Sequence, residues 1–133
     1  MMRLKSLKRS SKKEIASLFD RWNTSLKSGD PDQVVKNYAK NSILLATLSN
    51  KPRLTVAEKR SYFKSFLANK PSGKISYRKI EVNSNTAFDV GIYTFTFAKT
   101  KAVVKARYTF TYRFEGKKWL ITSHHSSKMP EDK

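Results

Sequence analysis

Residues 75–126 read ISYRKIEVNSNTAFDVGIYTFTFAKTKAVVKARYTFTYRFEGKKWLITSHHS, and this stretch decides the fold. Apolar and polar residues alternate through most of it with a period of two, which is the pattern of β-strands. Short polar segments interrupt the alternation at 83–85, 99–100 and 115–117 and are typical of hairpin turns. The stretch therefore predicts a meander of four antiparallel strands over 75–82, 86–98, 103–114 and 118–126.

The chain before this stretch has a helical period instead. Ser11 and Glu14 have the spacing of a capping box, so a first helix is predicted to begin there. Its apolar residues recur on one stripe; they are Ile15, Leu18, Phe19, Trp22 and Leu26. Asp30 followed by Pro31 predicts the start of a second, short helix, which we expect to end at Asn41.

A short apolar strand is predicted over 43–48, and a third helix follows it. Thr55 and Glu58 repeat the capping-box spacing, and the segment 70–73, which contains Pro71 and Gly73, is expected to stop this helix. Helices come first and a run of strands follows. That order favours an α+β domain in which the helices cover one face of the sheet.

The strand predicted over 86–98 is apolar on both faces. Its even positions carry Phe88, Val90 and Ile92, and its odd positions carry Tyr93, Phe95 and Phe97. An antiparallel strand with one face in water alternates more cleanly between apolar and polar residues. Since the chain has few residues left to cover the second face, we expect a second copy of the protein to cover it.

The chain is strongly basic. It has 133 residues, with 28 Lys and Arg against 10 Asp and Glu, for a formal charge of +18. Such a balance attracts polyanions, so weak, non-specific polyanion binding is expected. The alternative is that the lysines only keep a solvated surface soluble. No apolar run is long enough to span a membrane.

The chain length fits one domain. We predict a basic N-terminal tail over 1–11, a domain over 12–128 and a C-terminal tail over 129–133.

The absence of cysteine excludes disulfides, thiolate metal sites and a cysteine nucleophile. It is compatible with a reducing compartment, and we expect a cytoplasmic protein. The basic N-terminal segment also has features of an organelle transit peptide, which leaves targeting open as an alternative.

An ordered set of segments carries a resemblance to a known family. In chain order they are 18–23 (LFDRWN), 29–31 (GDP), 34–35 (VV), 38–39 (YA), 49–53 (SNKPR), 62–63 (YF), 91–95 (GIYTF), 106–110 (ARYTF), 119–121 (WLI) and 124–127 (HHSS). The set resembles the SnoaL-like branch of the nuclear-transport-factor-2-like superfamily. It is most similar to bacterial proteins related to the calcium/calmodulin-dependent protein kinase II association (hub) domain.

The resemblance implies a cone-shaped fold in which N-terminal helices pack on a curved antiparallel sheet and enclose a cavity. It also implies sheet-to-sheet homodimers, sometimes assembled into larger rings. Members of the superfamily include cyclases, isomerases, proteins that bind small carboxylates and proteins that only assemble. Fold alone does not choose among these functions.

Arg107 and His125 are the first candidate ligand-binding residues. Arg107 lies mid-strand among threonines, so it faces either solvent or the cavity; the resemblance implies a cavity arginine that receives a carboxylate. His125 shares strand parity with Trp119 and Ile121, which predicts that it points inward and that His124 points outward. An inward His125 is either a general acid or base or a hydrogen-bonded core residue.

Asp89 lies inside an apolar strand, where a carboxylate is costly to bury without a partner. It is either a general base or a structural ion pair, with Arg107 as the expected partner, or it lies at an exposed strand end. Arg53, in the loop before the third helix, lies at the cavity mouth, as the resemblance implies, or is a surface loop residue. Tyr38 and Tyr93 contribute hydroxyls to the cavity or serve as amphipathic core residues.

The sequence contains no phosphate-binding loop, dinucleotide fingerprint or catalytic-triad signature, so no cofactor is expected. His124 and His125 are adjacent on a strand and cannot bind one metal ion from the same face, so no metal site is expected either. We therefore predict a homo-oligomeric association domain with a cavity for a small anionic organic ligand and no catalysis. Two alternatives stay open: a SnoaL-like cyclase or isomerase that uses Asp89 or His125, and a basic polyanion-binding scaffold.

Overall fold

The computed structural model describes residues 10–131. The helices and strands within these residues are α1 (Lys12–Lys27), α2 (Pro31–Val35), β1 (Tyr38–Leu45), α3 (Val56–Leu67), β2 (Pro71–Val82), β3 (Thr86–Phe97), β4 (Val103–Glu115) and β5 (Lys118–Lys128). Most of the predicted basic tail, residues 1–9, and the last two residues of the predicted C-terminal tail lie outside the described residues.

Side-chain caps start the helices where the sequence predicts. The Ser11 hydroxyl accepts a hydrogen bond from the backbone N–H of Glu14 at 3.1 Å and begins α1. Thr55 and Glu58 form a complete capping box at α3, and Asp30 caps α2. These caps satisfy backbone N–H groups that have no partner inside the helix. The three predicted helix starts are confirmed.

Several predicted boundaries are wrong because pairing within the sheet overrides local sequence pattern, and the first strand, predicted over 43–48, spans Tyr38–Leu45. The second helix ends at Val35 rather than Asn41, and β1 begins at Tyr38, which lies opposite Ile121 of β5 in a parallel pair. The third helix ends at Leu67, before the segment 70–73 that was predicted to stop it. The strand predicted over 75–82 begins earlier, at Pro71, and pairs with β3 along its whole length.

The five strands form one sheet in the order β1-β5-β4-β3-β2. All neighbours are antiparallel except β1 and β5, which are parallel. The helices pack on the face we call the inner face, and the core lies between them and the sheet. The opposite, outer face has no cover within residues 10–131. The predicted α+β architecture, helices on a curved and mostly antiparallel sheet, is confirmed.

A β-bulge in β2 reverses the alternation of side chains between the two faces. Ile75 pairs with Tyr93 and Tyr77 pairs with Ile92, so Ser76 is the extra residue. The carbonyl group of Tyr77 comes so close to Gly91 of β3 that a Cβ there would lie 1.9 Å from its oxygen. Only glycine fits this close approach of two backbones.

A second bulge does the same in β5. Thr111 of β4 pairs with Ser123, whereas Tyr112 pairs with Ile121, so Thr122 is the extra residue. Because one extra residue moves every later side chain to the other face, the second half of β5 presents the opposite set of residues to the core from the set that simple alternation predicts.

Candidate functional site

A cavity of about 250 Å³ lies between the helices and the inner face of the sheet. Aromatic side chains form much of its wall, including Trp22, Phe63, Phe66 and Phe95. Within the described part of the chain, the lining contains no Lys, Arg, Asp or Glu. The cavity is therefore suited to an uncharged, largely apolar molecule.

His124 lies at the polar end of this cavity and is 4% exposed. Its Nδ1 is 2.8 Å from the Tyr38 hydroxyl and its Nε2 is 3.1 Å from the Tyr93 hydroxyl. The indole N–H of Trp22 donates to the Tyr38 hydroxyl at 3.1 Å. Phe110 stacks on the imidazole with ring centroids 4.0 Å apart. Packing and hydrogen bonds thus fix the position of the ring at the cavity wall.

The hydrogen bonds continue from Tyr93 to the cavity wall. The Tyr93 hydroxyl donates to Ser126 Oγ at 2.7 Å, and Ser126 Oγ is 2.6 Å from Thr47 Oγ1. Ser126 and Thr47 both line the cavity. We call the six groups from Trp22 to Thr47 the cavity chain.

Burial keeps the cavity chain uncharged. It lowers the pKa of His124 to about 3, with a smaller contribution from the charge of neighbouring His125. Burial also raises the pKa of Tyr38 and Tyr93 above their ordinary value. At neutral pH the imidazole is therefore neutral and both phenols keep their protons.

Asp89 is fully buried on the inner face, but Arg107 is not its partner. Arg78 of β2 donates to Asp89 Oδ2 at 2.7 Å, and the Tyr108 hydroxyl donates to Oδ1 at 2.7 Å. Burial alone would lower the pKa of Arg78, but the hydrogen bond and charge of Asp89 raise it overall. The bulge at Ser76 turns Arg78 inward, which is why strand alternation does not predict this pair.

His125 points outward and His124 points inward, so the predicted orientations of the two histidines are wrong. The bulge at Thr122 is the physical reason, because it breaks the parity that Trp119 and Ile121 share with later residues.

Arg107 is also exposed on the outer face, and the prediction that it lines the cavity beneath the helices is wrong. The structure nevertheless brings Arg107 and His125 together. Both line a shallow depression of about 420 Å³ on the outer face, beside Tyr77, Val90 and Ile92. Their role in binding an anion stays a prediction.

Arg53 lies next to the cavity rather than in its lining. Its backbone forms an isolated bridge with Leu44, and its guanidinium lies 5.7 Å from the ring centroid of Tyr62, which lines the cavity. Of the predicted site residues, Tyr93 lines the cavity and Tyr38 contacts His124, which also lines it. Arg53 does not line the cavity but contacts Tyr62, which does.

Sequence reasoning missed His124, Ser126 and Thr47. The bulge at Thr122 reverses the faces on which His124 and Ser126 lie, so strand alternation does not place them at the cavity. The polar pair Thr122-Ser123 in an otherwise alternating strand is a weak sign of this bulge. Thr47 lies just after β1 and carries no signal of its own. Across residues 10–131, no helix is long and apolar enough to cross a membrane.

Comparisons with known proteins fit this architecture. The family model of the calcium/calmodulin dependent protein kinase II association domain matches residues 11–130. An association-domain protein of this kind from Xanthomonas campestris has a crystal structure that superposes with a TM-score of 0.89 at 43% identity. That match covers 92% of this chain and 91% of the other. The search of curated proteins finds no match.

More distant structures share the fold alone. A nuclear-transport-factor-2-like protein with a cystatin-like fold from Novosphingobium aromaticivorans has a TM-score of 0.74 at 12% identity, covering 90% of this chain and 82% of the other. A ketosteroid isomerase-like protein from Erwinia carotovora atroseptica has a TM-score of 0.66 at 18% identity, covering 88% and 95%. Because the family model spans nearly the whole chain, this protein belongs to the calcium/calmodulin-dependent protein kinase II association-domain family.

Proposed function

We propose that this chain is a self-associating domain that holds a small organic molecule in the cavity between its helices and its sheet, without catalysing a reaction on it. The observation that carries the binding part is the apolar cavity with the cavity chain at one end. The sequence and the resemblance predict an anionic ligand because they place Arg107 and His125 in that cavity. With both on the outer face, the cavity offers no cation to offset the desolvation of a carboxylate.

The absence of catalysis is part of the proposal because the candidate acid and base groups are already engaged. Asp89 is held by Arg78 and Tyr108. Both ring nitrogens of His124 are within hydrogen-bond distance of tyrosine hydroxyls, and burial lowers its pKa too far for a general base at neutral pH. His125, the other candidate, is on the opposite face of the sheet.

Toluene binding tests the cavity. An apolar cavity of about 150 Å³ is enough to bind benzene, so this larger one is expected to bind toluene, seen as NMR shift changes at the Trp22 indole. Ala106 is 2% exposed and lines the cavity, so Ala106→Phe is expected to fill the space and abolish binding. Ala102→Phe, at an exposed position, is the matched control. If toluene does not bind the wild type, or binds Ala106→Phe and Ala102→Phe equally, the cavity is not a binding site.

Self-association is supported by the outer face and by the name of the family. Tyr77 is 63% exposed and Val90 is 36% exposed there, beside the half-buried Phe88 and Ile92. Apolar side chains on an uncovered sheet face gain free energy when a second copy buries them.

Light scattering at micromolar concentration is expected to show at least twice the 15.3 kDa chain mass. Val90→Lys is expected to move the mass toward one chain, because a lysine buried in the interface has no partner. Leu54→Lys, on the loop before α3, adds the same charge to a 53% exposed residue and is expected to leave the mass unchanged. A wild-type monomer would overturn self-association, and an unaffected Val90→Lys would exclude the outer face.

A further inference from the structure

From the cavity chain we infer that the cavity takes an uncharged molecule that presents a hydrogen-bond acceptor, such as a ketone or ester carbonyl, to the hydroxyl pair of Thr47 and Ser126. The inference rests on the proposed ligand-binding function and names the ligand class. It depends on which group donates and which accepts in each hydrogen bond of the cavity chain.

Trp22 fixes that direction at the buried end. An indole N–H can only donate, so the Tyr38 oxygen accepts from it. Tyr38 then places its own proton on His124 Nδ1, which is 2.8 Å away. The reverse arrangement would leave the Tyr38 proton without an acceptor, although Tyr38 is only 6% exposed, and an unpaired buried donor is strongly disfavoured.

The directions of the remaining hydrogen bonds in the cavity chain follow from the tautomer of His124. A neutral imidazole that accepts at Nδ1 carries its proton on Nε2, so Nε2–H donates to the Tyr93 oxygen at 3.1 Å. Tyr93 in turn donates to Ser126 Oγ. Every bond from Trp22 to Ser126 therefore points toward the cavity wall.

One proton is left over at the wall. Each of the six groups carries one proton, and five hydrogen bonds join them. The Ser126–Thr47 bond uses one hydroxyl proton of the pair, whichever residue donates. The other hydroxyl proton has no acceptor among residues 10–131, and both residues line the cavity. The wall therefore offers a donor where a ligand lies.

The surroundings of that donor exclude an ionic ligand. A carboxylate would meet one hydroxyl donor and a wall without a cation, which does not offset its loss of hydration. A carbonyl oxygen needs only that one donor. The aromatic walls and the volume of about 250 Å³ suit a single substituted ring.

Three ligands of similar size separate these cases. Acetophenone has a carbonyl acceptor, ethylbenzene has none, and benzoate is an anion. NMR titration is expected to show acetophenone binding roughly three- to tenfold more tightly than ethylbenzene, the range for one neutral hydrogen bond, with benzoate weakest. The ¹⁵N shifts of His124 are expected to show the Nε2–H tautomer in the free protein. The Nδ1–H tautomer would overturn the direction of the chain.

Variants link the preference to the hydroxyl pair. In Thr47→Val/Ser126→Ala the Tyr93 hydroxyl, which also lines the cavity, would lose its acceptor and could replace the missing donor, so Tyr93→Phe is added to the variant. In this triple variant the advantage of acetophenone over ethylbenzene is expected to shrink at least threefold, whereas Thr24→Val, an exposed change in α1, leaves it intact. Tightest binding of benzoate, or equal binding of acetophenone and ethylbenzene, would overturn this inference while toluene binding still supported the cavity. If toluene and all three ligands fail to bind, the proposed function fails as well.

Discussion

Replacing Asp89 with alanine is expected to lower the free energy of unfolding by about 3–5 kcal/mol, the range for removing one partner of a buried ion pair. The carboxylate is fully buried and accepts hydrogen bonds from Arg78 and Tyr108, each at 2.7 Å. Without it, the buried Tyr108 hydroxyl and the half-buried guanidinium of Arg78 lose their acceptor. Chemical denaturation at pH 7 measures the loss.

An exposed ion pair serves as the control for Asp89. Arg113 and Glu115 contact each other at 2.7 Å, but their side chains are 50% and 41% exposed. Glu115→Ala is expected to change stability by less than about 1 kcal/mol, as for surface pairs in general. If Asp89→Ala cost no more than Glu115→Ala, the buried pair would not stabilise the fold, and Asp89 would again be a candidate for a functional carboxylate.

Acid is expected to destabilise the protein through His124. Burial lowers the pKa of His124 to about 3 in the folded chain, against about 6.5 in an unfolded chain. The neutral, buried His124 contributes fully to the stability of the folded state above pH 6.5. This contribution is lost as the pH falls toward 3, because only the unfolded state takes up the proton in that window. The free energy of unfolding then falls by about 1.4 kcal/mol per pH unit, or about 2 kcal/mol between pH 6.5 and pH 5.

His124→Gln isolates this effect, since glutamine keeps one donor and one acceptor but does not titrate. The variant is expected to lose the decline between pH 6.5 and pH 5 when denaturant unfolding is measured at several pH values. His125→Gln removes the exposed neighbour on the outer face and is expected to keep the decline. Equal pH dependence in wild type and His124→Gln would show that His124 is not held neutral by its surroundings.

The sequence predicts the architecture well because its determinants are local. The caps at Ser11 and Thr55 and the alternation in β3 and β4 each follow from a few neighbouring residues. The boundary between α2 and β1 is less predictable, since β1 pairs with the distant β5.

The candidate site was only partly predictable because two bulges decide which side chains face it. Alternation works within a regular strand, and it fails after Ser76 and after Thr122. After each bulge, a different side chain from the one that alternation predicts lies on the inner face. Arg78 takes the place expected for Arg107 beside Asp89, and His124 takes the inward place expected for His125. Gly91, opposite the first bulge, is the one clear signal, because glycine inside a strand marks a close approach of backbones.

A crystal structure of the protein with acetophenone tests the central claim most directly. The proposed function and the polarity of the cavity chain together predict the ring between the aromatic walls of the cavity. They also predict the carbonyl oxygen within hydrogen-bond distance of the Thr47 or Ser126 hydroxyl. Acetophenone bound in the outer depression beside Arg107 and His125, with none in the cavity, would contradict the account.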